Sequence, residues 1–281
     1  MTMQIDAHQH FWNPLRGDYD WMPMDNATLA RHYAPADLAP HLDTHGIDAT
    51  VLVQAAASVN ETEYMLGLAD ATSFVAGVVG WIDFEKPSDL ATLKRLSQHP
   101  KFKGVRPMIQ DIADDDWMLR DDVQWGFRAV ADLDLTFDAL GFPRHLANFL
   151  TILKRYPDMR VVIDHCMKPQ IRDHSDDNFR FWADGMTRIA QQTGACCKFS
   201  ALVTEAKPGW TIEDLRPYVD HVLDTFGPAR VMWGSDWPVC RLAASYQDWR
   251  AAAEALTDDL DAQAKADIYG GTAARFYRIS G

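Results

Sequence analysis

Short runs of apolar, largely β-branched residues recur along the chain, separated by longer stretches in which apolar residues return every three or four positions. The short runs predict strands at Gln4 to His10, Thr50 to Gln54, Val75 to Asp83, Gly104 to Arg106, Leu135 to Ala139, Arg160 to His165, Cys196 to Ser200 and Arg230 to Gly234. The periodic stretches predict helices over Asn60 to Ala71, Ser88 to Gln98, Pro143 to Arg155, Asn178 to Gln192 and Ile212 to Phe226. Pro143 suits a first helical position, where its missing N–H has no intrahelical partner to lose, and Gly227-Pro228 suits a helix stop. Eight strands alternating with helices point to the α/β class and a (β/α)8 TIM barrel. An open doubly wound sheet is the competing architecture, weakened because no G-x-G-x-x-G follows the first strand to seat a dinucleotide.

No repeat, low-complexity tract or linker interrupts the chain, so residues 1–281 are expected to form one domain. The segment from Asn13 to Pro40, rich in Trp, Met, Pro and Asp, is too long for a routine strand-to-helix connection. It is expected to fold over the barrel mouth, with Trp12 and Trp21 as lid aromatics.

Composition narrows the classes. With 281 residues, 47% of them hydrophobic and 24% charged, the chain can bury a sizeable core. A net charge of −13 leaves no basic stripe to neutralise phosphates, which argues against nucleic acid as the natural partner. No apolar run approaches the roughly 18 residues of a membrane span. His8 also arrives before a secretory apolar region could form, so no membrane partner is expected and the cytoplasm is the expected compartment. Cys166, Cys196, Cys197 and Cys240 lack C-x-x-C spacing and read as buried thiols.

Candidate chemistry concentrates where the strands end. In an extended strand His8 and His10 project from one face while Gln9 points away. The other predicted strand ends carry Gln54, Trp81 and Asp83, Arg106, Asp138, His165 with Lys168 just beyond, Lys198 and Ser200, and finally Ser235, Asp236 and Trp237. In a barrel of parallel strands these ends share one rim, which is where such folds place catalytic groups. Three histidines and an aspartate at one rim can bind a metal, orient a water and move a proton. Ser235 and Cys240 lie nearby in sequence, but no G-x-S-x-G elbow supports a serine nucleophile.

The residues Ile5-Asp6-Ala7-His8-Gln9-His10-Phe11-Trp12, Val51-Leu52-Val53-Gln54-Ala55, Lys103-Gly104-Val105-Arg106, Val162-Ile163-Asp164-His165, Cys197-Lys198-Phe199-Ser200, Trp233-Gly234-Ser235-Asp236-Trp237-Pro238 and Gly270-Gly271-Thr272-Ala273-Ala274-Arg275-Phe276-Tyr277 together resemble the amidohydrolase superfamily. Within it they are similar to the amidohydrolase 2 group that includes sugar lactonases of the L-fuconolactonase and L-rhamnonolactonase type. The resemblance covers nearly the whole chain and implies a hydrolase that opens the ring of a sugar lactone, L-fuconolactone or a related L-sugar lactone.

On that resemblance Asp236 is the expected base, with His165, His8 and His10 polarising the carbonyl or binding a metal that does so. Gln54, Arg106, Lys198 and Trp237 are the expected substrate contacts, through hydrogen bonds to sugar hydroxyls and a flat aromatic face. Lys198 has an alternative reading as half of a buried ion pair. Binuclear members carry a Lys or Glu after strand 4 and a His after strand 5, where this chain has Arg106 and Asp138, which argues against two metals. The expectation is at most one divalent ion such as zinc, held by His8, His10 and Asp236 with His165 as a further candidate, not required for activity. No organic cofactor is expected, and the oligomeric state is left open between monomer and homo-oligomer. The alternatives are a metal-dependent decarboxylase of the same superfamily and, if Arg106 binds a substrate carboxylate, a dicarboxylate-lactone hydrolase.

Overall fold

The computed structural model describes residues 3–280. Eight strands, β1 (Ile5–Gln9), β2 (Ala49–Val53), β3 (Val75–Gly80), β4 (Phe102–Val105), β5 (Thr136–Ala139), β6 (Arg160–Ile163), β7 (Cys196–Phe199) and β8 (Val231–Trp233), lie in chain order in one sheet. Every neighbouring pair is parallel. The expected TIM-type barrel is therefore present. It is closed by the residues just after β8: Asp236 N donates to His8 O and His10 N to Trp237 O, each at 2.7 Å. Gly234 permits that closure, because a Cβ there would stand 2.7 Å from the Cβ of His8.

Between successive strands run α1 (Pro35–His45), α2 (Val59–Asp70), α3 (Leu90–Leu96), α4 (Gln124–Asp132), α5 (Leu146–Arg155), α6 (Asp176–Gln192), and then the short α7 (Leu202–Glu205) followed by α8 (Ile212–Phe226). After β8 come α9 (Tyr246–Leu256), α10 (Ala262–Ala266) and α11 (Thr272–Tyr277). Ser175 caps α6 by accepting from Asn178 N, so that helix begins two residues before the sequence pattern indicated. The loop over the mouth ends at Ala34 rather than Pro40, since Pro35 opens α1 at a position that tolerates proline. The third strand stops at Gly80: Trp81 N turns aside to Thr62 Oγ1 at 2.9 Å, and Asp83 accepts from Glu85 N in a local turn. Trp81 and Asp83 thus leave the mouth.

Two apolar layers hold the barrel. Outward-facing residues such as Leu52, Val78, Phe137, Ile163, Cys197 and Phe199 pack against the helices. Inside, Val51, Val53, Val79, Val162 and Met232 form a floor that α11 closes with Ala273, Phe276 and Tyr277. Ile5 and Ala7 join this floor. β1 then takes one extra residue, since Asp6 pairs with Thr50 and Gln9 with Leu52. Such a bulge reverses the parity of a strand, and it turns His8 and His10 inward directly above Ala7.

Candidate active site

Above the apolar floor the barrel interior is polar. His10 Nδ1 lies 2.7 Å from Val53 O, so this nitrogen carries the proton and Nε2 presents a lone pair inward. That Nε2 is 3.2 Å from His8 Nε2 and 3.1 Å from Asp236 Oδ1, while His8 Nε2 stands 3.6 Å from the same carboxylate oxygen. His165 Nε2 is 4.0 Å from Asp236 Oδ1, and its Nδ1 meets Ser200 Oγ at 2.8 Å. One ring nitrogen each of His8 and His10 and a carboxylate oxygen of Asp236 lie within 4.8 Å of one another. The His10 Nε2 lone pair, the Asp236 oxygen and His8 Nε2, a lone pair in the tautomer whose Nδ1–H faces Asp164 Oδ1 at 3.5 Å, fit a single zinc-type ion. A second group, His8, Asp164 and His165, shares His8 with the first. Its Asp164 is already engaged by Lys198 Nζ at 3.0 Å and Arg106 Nη1 at 3.3 Å, so the donors suit one ion rather than two.

The electrostatics follow from burial. Desolvation, reinforced by Lys198, pushes the His8 imidazole well below its usual pKa, and burial takes His165 down to about 3, so both stay neutral. Burial acts to lift the Asp236 carboxyl, yet the group is held below its usual range as a carboxylate, with the Lys168 ammonium among the charges that outweigh burial. Asp164 is driven well below its usual value against its own burial, chiefly by Lys198 and His8. Burial raises Asp138 in spite of Lys198.

A buried network supports this group from below. Lys198 Nζ sits 2.5 Å from Asp138 Oδ2 and 3.1 Å from His8 Nδ1, and Tyr277 OH donates to Asp138 Oδ2 at 2.7 Å. Gln54 Nε2 donates to Arg106 O at 2.6 Å, and Arg106 Nη2 donates back to Gln54 O. Arg106 Nε has no hydrogen-bond partner among the described residues.

A cleft of about 90 Å³ opens onto His10, His165, Asp236, Arg106 and Lys168, walled by Trp12, Trp21, Met108, Leu140 and Val239. Trp21 stacks edge-on against Trp12 and donates to Ala55 O at 2.6 Å, which fastens the long loop across the mouth. His165 begins a left-handed turn in which four successive residues, through Lys168, have φ of 53°, 49°, 60° and 47°. Each such residue costs roughly 1–2 kcal/mol. Trp182 Nε1 donating to Cys166 O at 2.7 Å and Lys168 N donating to His165 O at 2.8 Å help to hold the turn. It aims both His165 and Lys168 at the cleft.

All four histidine and aspartate candidates converge as the sequence suggested, and Arg106 joins them. Three of the expected substrate contacts do not reach the cleft. Lys198 is fully buried and locked between Asp138 and Asp164, the ion-pair alternative. Gln54 is sealed behind Arg106 and orients it. Trp237 packs against Phe11 and Tyr33 in the outer core. Ser235 and Cys240 are buried, and Ser235 N donates to Asp6, so neither is placed as a nucleophile. Asp164, which pairs with Arg106, follows Val162 by two and so shares its inward face, a parity the sequence carries although the adjacent His165 is the more evident functional residue.

The chain matches the amidohydrolase family over residues 5–279. It is 43% identical to an L-fucono-1,5-lactonase of Burkholderia ambifaria, over 99% of this chain and 97% of the relative. A second L-fucono-1,5-lactonase, from Burkholderia multivorans, is 36% identical over 99% of this chain and 97% of its own. Among solved structures, an amidohydrolase from Burkholderia multivorans with bound zinc superposes with a TM-score of 0.94 at 34% identity, covering 99% of this chain and 100% of that one.

Proposed function

The chain belongs to the amidohydrolase family, and from that premise we propose that it opens the ring ester of a sugar lactone, L-fucono-1,5-lactone or a related L-sugar lactone, to the aldonate. The observation that carries this reading is full-length similarity to two L-fucono-1,5-lactonases.

The chemistry needs a water, a base and positive charge at the carbonyl oxygen. Asp236, held as a carboxylate at the cleft, takes a proton from the water as its oxygen attacks the lactone carbonyl carbon. The tetrahedral intermediate collapses with cleavage of the ring C–O bond, and the proton on Asp236 passes to the departing alkoxide. Arg106, lining the cleft with Nε unpaired, donates to a substrate oxygen. Trp12 and Trp21 present apolar faces to the ring and restrict water. His8 Nε2, His10 Nε2 and Asp236 Oδ1 would hold a zinc ion, which would polarise the carbonyl and acidify a bound water.

Arg106 also weighs between substrates. Its charge is met by Asp164, so it has no spare charge for a second substrate carboxylate, and a neutral sugar lactone fits better than a dicarboxylate. The likeness to decarboxylases is at 15% and 11% identity and extends to the fold alone. Among the described residues no helix is long and apolar enough to cross a membrane. Free thiols at all four cysteines support the cytoplasm as the compartment.

Proton release in weak buffer, measured on L-fucono-, L-galactono- and L-rhamnonolactones and a carboxylated lactone with and without chelator, tests the reading. Fast acid release on the L-sugar lactones is expected. Activity that survives chelation makes the metal dispensable, and activity restored only by zinc makes it essential. Silence on every lactone, or release of carbon dioxide from an aromatic acid, would overturn the proposal.

A further inference from the structure

We propose that Lys168 is a substrate-contacting residue, whose ammonium donates to an oxygen of the lactone and then to the carboxylate of the aldonate product. The inference rests on the lactonase reading and adds a contact to it. Three cations stand near the site, and two are spent: Arg106 is paired with Asp164, and Lys198 with Asp138 and Asp164. Lys168 lines the same cleft as His10, His165 and Asp236 and forms no ion pair among the described residues. Its one strong partner is neutral, Gln110 Oε1 at 2.6 Å, which leaves two of its three N–H bonds for a ligand.

Placement argues the same way. Lys168 is the fourth residue of the left-handed turn that starts at His165, so the element that sets the catalytic imidazole also sets the ammonium. Such backbone persists where the surroundings enforce it, and it concentrates at functional sites. Lys168 also forms part of the wall of a wider groove of about 450 Å³ in which Arg144 and Arg172 stand with Asp173 and Glu205. Gln110 reaches it from the segment after β4, so the pair spans the rim between cleft and groove. Hydrolysis converts a neutral ester into an anion, and an unpaired ammonium at the reacting centre suits that change of charge.

The test is titration calorimetry of sodium L-fuconate, the anionic product, and of the neutral alditol L-fucitol, on the protein as purified and on Lys168→Met and Lys168→Arg. The methionine variant is expected to bind L-fuconate about 10- to 100-fold more weakly, the loss of one charge-assisted hydrogen bond, with L-fucitol affinity unchanged. Arginine, which keeps the charge, is expected to recover most of the affinity. Equal loss of both ligands would reveal a structural role and overturn the inference. So would unchanged L-fuconate binding in Lys168→Met, or no binding to the unaltered protein. Lys168-dependent L-fuconate binding without lactone hydrolysis would instead sink the lactonase reading and leave the contact standing.

Discussion

At the scale of single residues, depth in the barrel separates chemistry from support. Asp236 stands at the cleft beside His10 and His165, so Asp236→Asn removes the proposed proton acceptor while keeping its shape. Turnover is expected to fall by about 10³-fold or more, in line with general-base losses combined with lost positioning. Steady-state rates beside an unchanged circular dichroism spectrum check this. Lys198, one layer down, should behave in the opposite way. Lys198→Met leaves Asp138 and Asp164 as buried carboxylates short of their cation, which typically costs about 3–5 kcal/mol. Denaturant unfolding measures that loss; a stable variant altered only in KM would restore Lys198 as a substrate contact. The histidine pair was legible because strand parity is a local property. That Trp237, Gln54 and Lys198 lie off the cleft was not legible, because a sequence marks where a strand ends but not whether a side chain there faces the mouth, the outer core or the layer beneath.

At the scale of elements, the eight strands and five of the eleven described helices, α2, α3, α5, α6 and α8, were legible from periodicity, and their ends were set by contacts that a local pattern does not contain. The extra residue in β1, which carries His8 inward, is one such case. Helix α1 is another: Pro35 and Pro40 read as loop chemistry, yet one opens the helix and the other is carried within it. The junction of β2 and α2 adds a third. Ser58 caps α2, and Glu61, a residue with no obvious role in sequence, reaches back to accept from Ala55 N at 3.1 Å and Ala56 N at 2.6 Å. That holds the turn whose Ala55 carbonyl anchors Trp21. Burial lifts the Glu61 carboxyl to about 7, against an ordinary 4.5, in spite of those donors. A raised folded-state pKa means that the folded chain binds the proton more tightly. This stabilisation is complete below 4.5 and is lost as pH rises through 7. Between those values Glu61 should contribute a slope of about −1.4 kcal/mol of stability per pH unit. Glu61→Gln should flatten the profile by that amount, measured by urea unfolding from pH 5 to 8; parallel profiles would mean that the backbone donors keep the carboxylate ionised.

At the scale of the whole molecule, the site and the C-terminal helix belong to one structure. At the lower end of the barrel α11 packs Ala273, Phe276 and Tyr277 against the apolar floor. From there Tyr277 OH reaches Asp138, Asp138 holds Lys198, and Lys198 touches His8 Nδ1. A continuous line of polar contacts thus joins the last helix to His8 of the first strand, across 269 residues of sequence. Tyr277→Phe keeps the ring in the floor and deletes one link. It leaves Asp138 a partner short in a region without water access, a loss of about 1–3 kcal/mol. For a domain of this size each kcal/mol moves Tm by about 2–4 °C. A drop within about 2–12 °C is therefore expected. Because floor and mouth share this network, tryptophan fluorescence and far-ultraviolet circular dichroism should report the same lowered midpoint. If only the C-terminal helix depended on the bond, the two signals would separate, with the barrel's tryptophans melting at the original temperature.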